Sequence, residues 1–171
     1  MKIINTFVPG LSAFKFDSKD ELERNFDNWS DTKYLFEFFE NNQKQLCYFK
    51  VETTLEAIKI TLNEVRHIQQ KLFELTQNPN KKLDQLFKNL DDNQYQETLL
   101  AKQKSSHRWL RLYAIKIEPN NYVITGGAIK LVYKMKESEL TQTETTKIEK
   151  CRNYLLEKGV YDADTFYELI L

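Results

Sequence analysis

Residues 107–136 read HRWLRLYAIKIEPNNYVITGGAIKLVYKMK, and the side chains able to do chemistry gather there. Arg108, Arg111, Lys116, Lys130, Lys134 and Lys136 are interleaved with Trp109, Tyr113, Tyr122 and Tyr133. Arg and Lys in such a row supply sequence-independent attraction to a nucleic-acid backbone. Exposed aromatic rings between them stack unpaired bases, which suits single-stranded RNA. Several cations around one phosphate also stabilise the charge that develops when it is cleaved, and Lys, His or Tyr can move the protons. The groups available for that work are His107, Arg108, Arg111, Lys130, Tyr133 and Lys134. With a period of two they cannot all share one face of a strand. The plainer reading is a solvated sheet face on which Trp109, Tyr113 and Tyr133 cover a core.

Other chemistries find little support. The chain has no phosphate-binding Gly loop, no nucleotide fingerprint, no HExxH and no GxSxG. Its two histidines, His67 and His107, lie far apart and give no metal-ligand set. Cys47 and Cys151 are too few and too distant for a disulfide framework, and they fit a reducing compartment. No metal or cofactor is implied. Formal net charge is zero, with 25 basic and 25 acidic residues. Residues 101–136 nevertheless hold eight Lys or Arg against the single acid Glu118, a local charge of +7 that the remainder balances. No secretory leader is visible and no run approaches the ~20 apolar residues that span a bilayer, so a cytoplasmic chain without membrane contact is expected.

The elements that must hold this row follow from local signals. At 171 residues, with 41% apolar residues and only four Gly and three Pro, the chain suits one core domain with an appended segment. Residues 2–16 read as two extended pieces split by Pro9-Gly10. Ser18 and Glu21 have capping-box spacing, and Asp31 is placed to cap an aromatic helix over 32–41. Residues 45–51, QLCYFKV, read as a strand. Thr53 caps a helix whose apolar series is Leu55, Ile58, Leu62, Val65, Ile68, Leu72 and Leu75, roughly 35 Å long. Residues 83–90 read as a short amphipathic helix and 97–103 as a weak strand. Two antiparallel strands, 107–117 and 122–133, flank the Pro119-Asn120-Asn121 turn. Gly126-Gly127 marks a bulge or a close approach of another group. A helix over 143–158 ends at Gly159, and Asp162 or Asp164 caps a last short helix. The expected fold is α+β: a small antiparallel sheet against a long helix and a C-terminal helix (residues 53–171), with an N-terminal α/β extension (1–52), the two forming one compact unit.

The strand WLRLY with Arg111, the strand ITGGAIKLVYKM with Gly126, Lys130 and Lys134, and the Thr-led helix TETTKIEKCRNYL resemble the RelE/HigB superfamily of toxins from bacterial type II toxin–antitoxin systems. The likeness covers 53–158 in layout and 107–154 in motif. Leu131 stands where the family's second Lys is usual, the Pro that often follows its Thr is absent, and residues 1–52 have no counterpart. The resemblance implies metal-independent cleavage of messenger RNA on the ribosome and neutralisation by a cognate antitoxin. It implies Arg111, Lys130 and Lys134 as catalytic groups, with His107 as an addition. Arg108, Trp109, Tyr113, Lys116, Tyr133 and Lys136 would then bind RNA. Two alternatives stay open: a non-catalytic protein–protein interaction module on a toxin-like fold, and an RNA-binding domain without cleavage.

Overall fold

The computed structural model describes residues 1–90, 99–106, 108–131 and 139–171. The fold is α+β, as expected. Among the described residues one six-stranded sheet has the order β1-β2-β6-β5-β4-β3. Its strands are β1 (Lys2–Asn5), β2 (Leu11–Lys15), β3 (Lys88–Asn89), β4 (Lys102–Ser106), β5 (Leu110–Glu118) and β6 (Asn121–Ile129). The helices are α1 (Glu21–Ser30), α2 (Thr32–Asn41), α3 (Gln43–Leu46), α4 (Thr54–Gln77), α5 (Glu139–Glu157) and α6 (Ala163–Ile170). No helix among these residues is long and apolar enough to cross a membrane.

The sheet is mixed rather than antiparallel. β2 runs parallel to β6, with Leu11 opposite Tyr122 and Ala13 opposite Ile124. The N-terminal residues therefore extend the sheet on the side of β6 away from β5. Pro9 and Gly10 make the turn into β2, and Gly10 is held at φ 78 with its backbone against Asn120. A Cβ at Gly10 would overlap the Asn120 carbonyl, so glycine is required there.

The pleat sends alternate residues to two cores. Leu11, Ala13, Leu110, Leu112, Ala114, Tyr122 and Ile124 meet α1, α2 and α4 on one face. Phe14, Tyr113, Ile115, Ile117, Val123 and Ala128 meet Ile148, Cys151 and Leu155 of α5 and Phe166 of α6 on the other. In α4 the covered stripe is rotated from the expected one. Ala57, Ile58, Thr61, Glu64, Val65, Ile68 and Leu72 are buried, whereas Leu55 is exposed. Two polar residues enter the stripe because the β5 side supplies them with hydrogen-bond donors, described below.

Local signals set most helix ends. Thr53 Oγ1 accepts the Glu56 N–H at 3.1 Å, and Asp31 and Asp162 cap α2 and α6. The cap of α1 is Asp20 rather than Ser18: its carboxylate accepts the N–H groups of Leu22 and Glu23 at 2.9 and 3.0 Å. Two segments adopt other structure than expected. Residues 45–51 are not a strand; α3 passes into a 3-10 turn at Cys47–Phe49, closed by Lys50 in the left-handed region. That turn buries Leu46 and Val51 together, joined by a 3.2 Å backbone hydrogen bond, so hydrophobic burial wins over strand alternation. Residues 83–90 are not a helix but a 3-10 turn at Leu83–Gln85 followed by β3, because Lys88 and Asn89 pair with Lys104 and Gln103 of β4. β4 itself falls at 102–106, C-terminal of the expected position.

Candidate phosphate-binding face

The β5–β6 hairpin forms where the Pro119-Asn120 turn was expected, with Asn120 at φ 59. Its register decides which cations meet. Arg111 lies opposite Ala128, and Ala128 belongs to the α5 core. The ladder continues one step past β6, where the Lys130 N–H donates to the Trp109 carbonyl at 2.7 Å. Alternation from Ala128 then puts Lys130 on the same face as Arg111, in the diagonal relation whose Cα atoms are about 7–8 Å apart. Both side chains are half-buried. β4 adds to this face: Ser106, Lys104 and Lys102 stand opposite Arg111, Tyr113 and Ile115. Lys102 is paired with Glu149 of α5 at 3.1 Å, and Lys104 donates to the Leu90 carbonyl at 3.3 Å.

Burial pushes the Arg111 guanidinium below its ordinary value, and the nearby Tyr113 and Glu64 push it back up. Arginine starts so far above neutrality that it stays a cation. One of its nitrogens donates to the Leu110 carbonyl at 2.9 Å.

The remaining expected site residues divide. Trp109 is fully buried, with Phe39 and Phe49 rings at 5.4 and 5.5 Å, and its Nε1 donates to Thr61 Oγ1 at 2.9 Å. Tyr113 is 1% exposed in the α5 core, and its hydroxyl is pushed up to about 12 by burial. Neither ring offers a face on which a base can stack, so both are corrected from RNA platforms to core anchors. Lys116 is on the opposite face, with Tyr122 as its strand partner, and ion-pairs with Asp84 at 3.7 Å. It is corrected to a part of the latch in which Asp84 Oδ1 also accepts the Tyr122 hydroxyl at 2.5 Å and the Asn120 N–H at 3.0 Å. Arg108 is exposed, donates to the Phe49 carbonyl at 3.0 Å and lies 5.2 Å from the Trp109 ring centre. His107, Tyr133, Lys134 and Lys136 lie outside the described residues.

Spacing gave no hint of a second group on this face. β5 and β6 slip by one residue, Tyr113 facing Gly126 while Ala114 faces Ile124, so a bulge sits at Thr125. Gly126 then makes room for α5: a Cβ there would overlap Glu144 Oε2, and the Lys147 ammonium is 2.7 Å from the same point. Gly127 makes room for Asn25 of α1 in the same way, at 2.8 Å. Glu144 and Glu21 are buried at 4% and 3% exposure. Lys147 Nζ bridges them at 2.9 and 2.8 Å, joining α5 to α1. Glu21 is also gripped by Arg24 through two nitrogens, at 2.9 and 2.7 Å.

The two acids titrate in opposite directions. Burial alone would raise the Glu21 carboxyl, but hydrogen bonds from Arg24 and Lys147 hold it below its ordinary value. For Glu144 burial prevails over Lys147 and the acid is pushed up. Its Oε2 is buried and has no hydrogen-bond partner among the described residues. Glu64 Oε2 shares that condition, although its other oxygen accepts the Leu110 N–H at 3.4 Å and burial raises its carboxyl as well. The sequence matches no protein-family model and no curated protein, and no solved structure matches the fold.

Proposed function

We propose that this chain is a toxin-like, RNA-interacting protein that meets the phosphate backbone of single-stranded RNA with Arg111 and Lys130. The observation that supports the reading is the β5–β6 register, which sets these two cations on one face with Lys104 beside them. A guanidinium fork and an ammonium at adjacent positions suit successive non-bridging phosphate oxygens. Burial of Trp109 and Tyr113 removes the base-stacking part of the expectation, so recognition rests on the backbone. In the RelE/HigB-like form of the proposal the RNA is messenger on the ribosome, and a cognate antitoxin restrains the protein.

Binding of a fluorescent single-stranded oligoribonucleotide across a salt series tests the reading. Affinity should fall steeply with salt, and Arg111→Ala with Lys130→Ala should flatten the log–log slope by about 1.4, about 0.7 per lost phosphate contact. Tightly regulated expression with growth and bulk translation as readouts tests the toxin form, and the same double variant should relieve any arrest. Absent or salt-insensitive RNA affinity rejects the proposal. A second reading, docking of a partner protein, draws on Leu55 and Phe73, 61% and 57% exposed on α4. Phe73→Glu should weaken an association detected by sedimentation if that face is used.

A further inference from the structure

We propose that the exposed face of α4 is a second contact surface for single-stranded RNA, with backbone phosphates on Lys59 and Arg66 and a base stacked on Phe73. The inference rests on the RNA reading above and adds a surface on the other side of the sheet, since α4 packs on the face opposite the one that carries Arg111.

α4 buries one stripe and leaves another uncovered. Lys59, Asn63, Arg66, Gln70 and Phe73 follow one another at spacings of four, three, four and three, so they line one side of the helix. All five are exposed. Lys59, Arg66 and Phe73 recur every seven residues, which sets them roughly 10.5 Å apart along the axis. From Ala57 to Phe73 no acid reaches the surface: the one carboxylate of that stretch, Glu64, is buried and accepts the Leu110 N–H. Past this row, the end of α4 borders a cleft of about 210 Å³ lined by Lys71, Lys81 and Lys82 with Leu75 and Leu86. Glu74 also lines it and is paired with Lys81. Residues 57–83 therefore hold five Lys or Arg against two acids, one buried and one paired, which gives this side of the molecule a positive field.

These cations differ in state from those of the sheet. Lys102 is paired with Glu149, Lys116 with Asp84, and Lys104 donates to the Leu90 carbonyl. Lys59 and Arg66 make no ion pair and no side-chain hydrogen bond among the described residues. A phosphate engages them without breaking a contact inside the protein.

Charge alone would also admit an acidic protein segment. The apolar side chains decide against it. Leu55 and Phe73 are the large apolar residues exposed on α4, eighteen positions or about 27 Å apart. They form no continuous patch of the kind that makes the core of a protein interface. Between them stand cations and amides, the groups that hold phosphate and sugar oxygens. Phe73 is 57% exposed and offers a base the ring face that the buried Trp109 and Tyr113 do not. An unpaired strand has bases free for that contact.

Phe73→Trp turns the stacking position into its own reporter, because the natural tryptophans Trp29 and Trp109 are buried. In the full chain, a single-stranded oligoribonucleotide should quench the emission of this variant and leave that of the parent unchanged. Lys59→Ala with Arg66→Ala should flatten the log–log salt slope of RNA binding by about 1.4, about 0.7 per lost phosphate contact. Both positions are exposed on a helix, where alanine is the best former, so the urea midpoint should stay at the parent's value. Arg111→Ala with Lys130→Ala, placed in the Phe73→Trp chain, should retain the quenching at saturating RNA. A polyglutamate peptide of equal charge should bind the parent more weakly than the RNA does. An unchanged slope without Lys59 and Arg66, or bound RNA that leaves the Phe73→Trp emission unaltered, overturns the proposal. Quenching lost together with Arg111 and Lys130 overturns the claim of a second surface. Polyglutamate that binds as tightly as RNA overturns the assignment and gives the face to an acidic protein segment. A parent chain with no RNA affinity is a separate result and rejects the RNA reading itself.

Discussion

Trp109 shows how one side chain can be read two ways. In sequence it lies between Arg108 and Leu110 and could equally face solvent or core, because indole is apolar with one polar atom. The structure answers with Thr61, 48 residues earlier, whose hydroxyl takes the indole N–H. Trp109→Ala should cost about 3–5 kcal/mol in urea unfolding, with no specific change in RNA affinity per folded molecule. That Arg111 and Lys130 lie on one face was legible because strand alternation and a short turn carry register. Glu21, Glu144 and Lys147 were not, since Glu21 and Lys147 are 126 residues apart and helix positions give no sign of a distant partner. Glu64 provides a pH test at this scale. Its folded-state carboxyl is raised by burial, so its contribution to stability is full below 4.5 and is lost as pH rises through the raised value. Glu64→Gln should remove that loss, and a comparison of urea midpoints between pH 4 and 8 checks it.

Elements whose ends are written in their own residues were readable. Asp31, Thr53 and Asp162 cap α2, α4 and α6 by side-chain acceptance of backbone N–H groups. Gly159 stops α5 at φ 76, with its N–H on the Leu156 carbonyl and the next N–H, of Val160, on Leu155. Nothing lies within 4 Å of a Cβ added there, so Gly159→Ala should cost only the backbone strain, about 1–2 kcal/mol in thermal or urea unfolding. Segments whose structure depends on a partner were misread. Residues 83–90 carry a helical apolar pattern, yet Asp84 and Asn120 exchange backbone-to-side-chain hydrogen bonds at 3.2 and 3.0 Å and the chain leaves as β3. Residues 45–51 alternate like a strand but are anchored by Leu46 and Val51 burying together.

At the scale of the whole molecule, the described cations of residues 101–136 do not gather on one surface. Lys102, Lys104, Arg111 and Lys130 share the α5 face, Lys116 takes the other, and Arg108 lies at the entrance to β5. The parallel strand was invisible because no local pattern states which edge a distant strand will join. Its contribution is large: Leu11 and Ala13 fill one core while Phe14 fills the other. Removal of residues 1–16 should leave β6 with an open edge and both cores breached, and the truncated chain should be recovered in the pellet after expression. The pairing of β2 with β6 also sets an order of events during synthesis. The amino-terminal hairpin leaves the ribosome more than a hundred residues ahead of the strand it must lie along, a separation that slows assembly and prolongs the exposure of apolar surface. A nascent chain halted before residue 121 would carry α1 to α4 with no seat for β2, a natural substrate for chaperones or proteolysis.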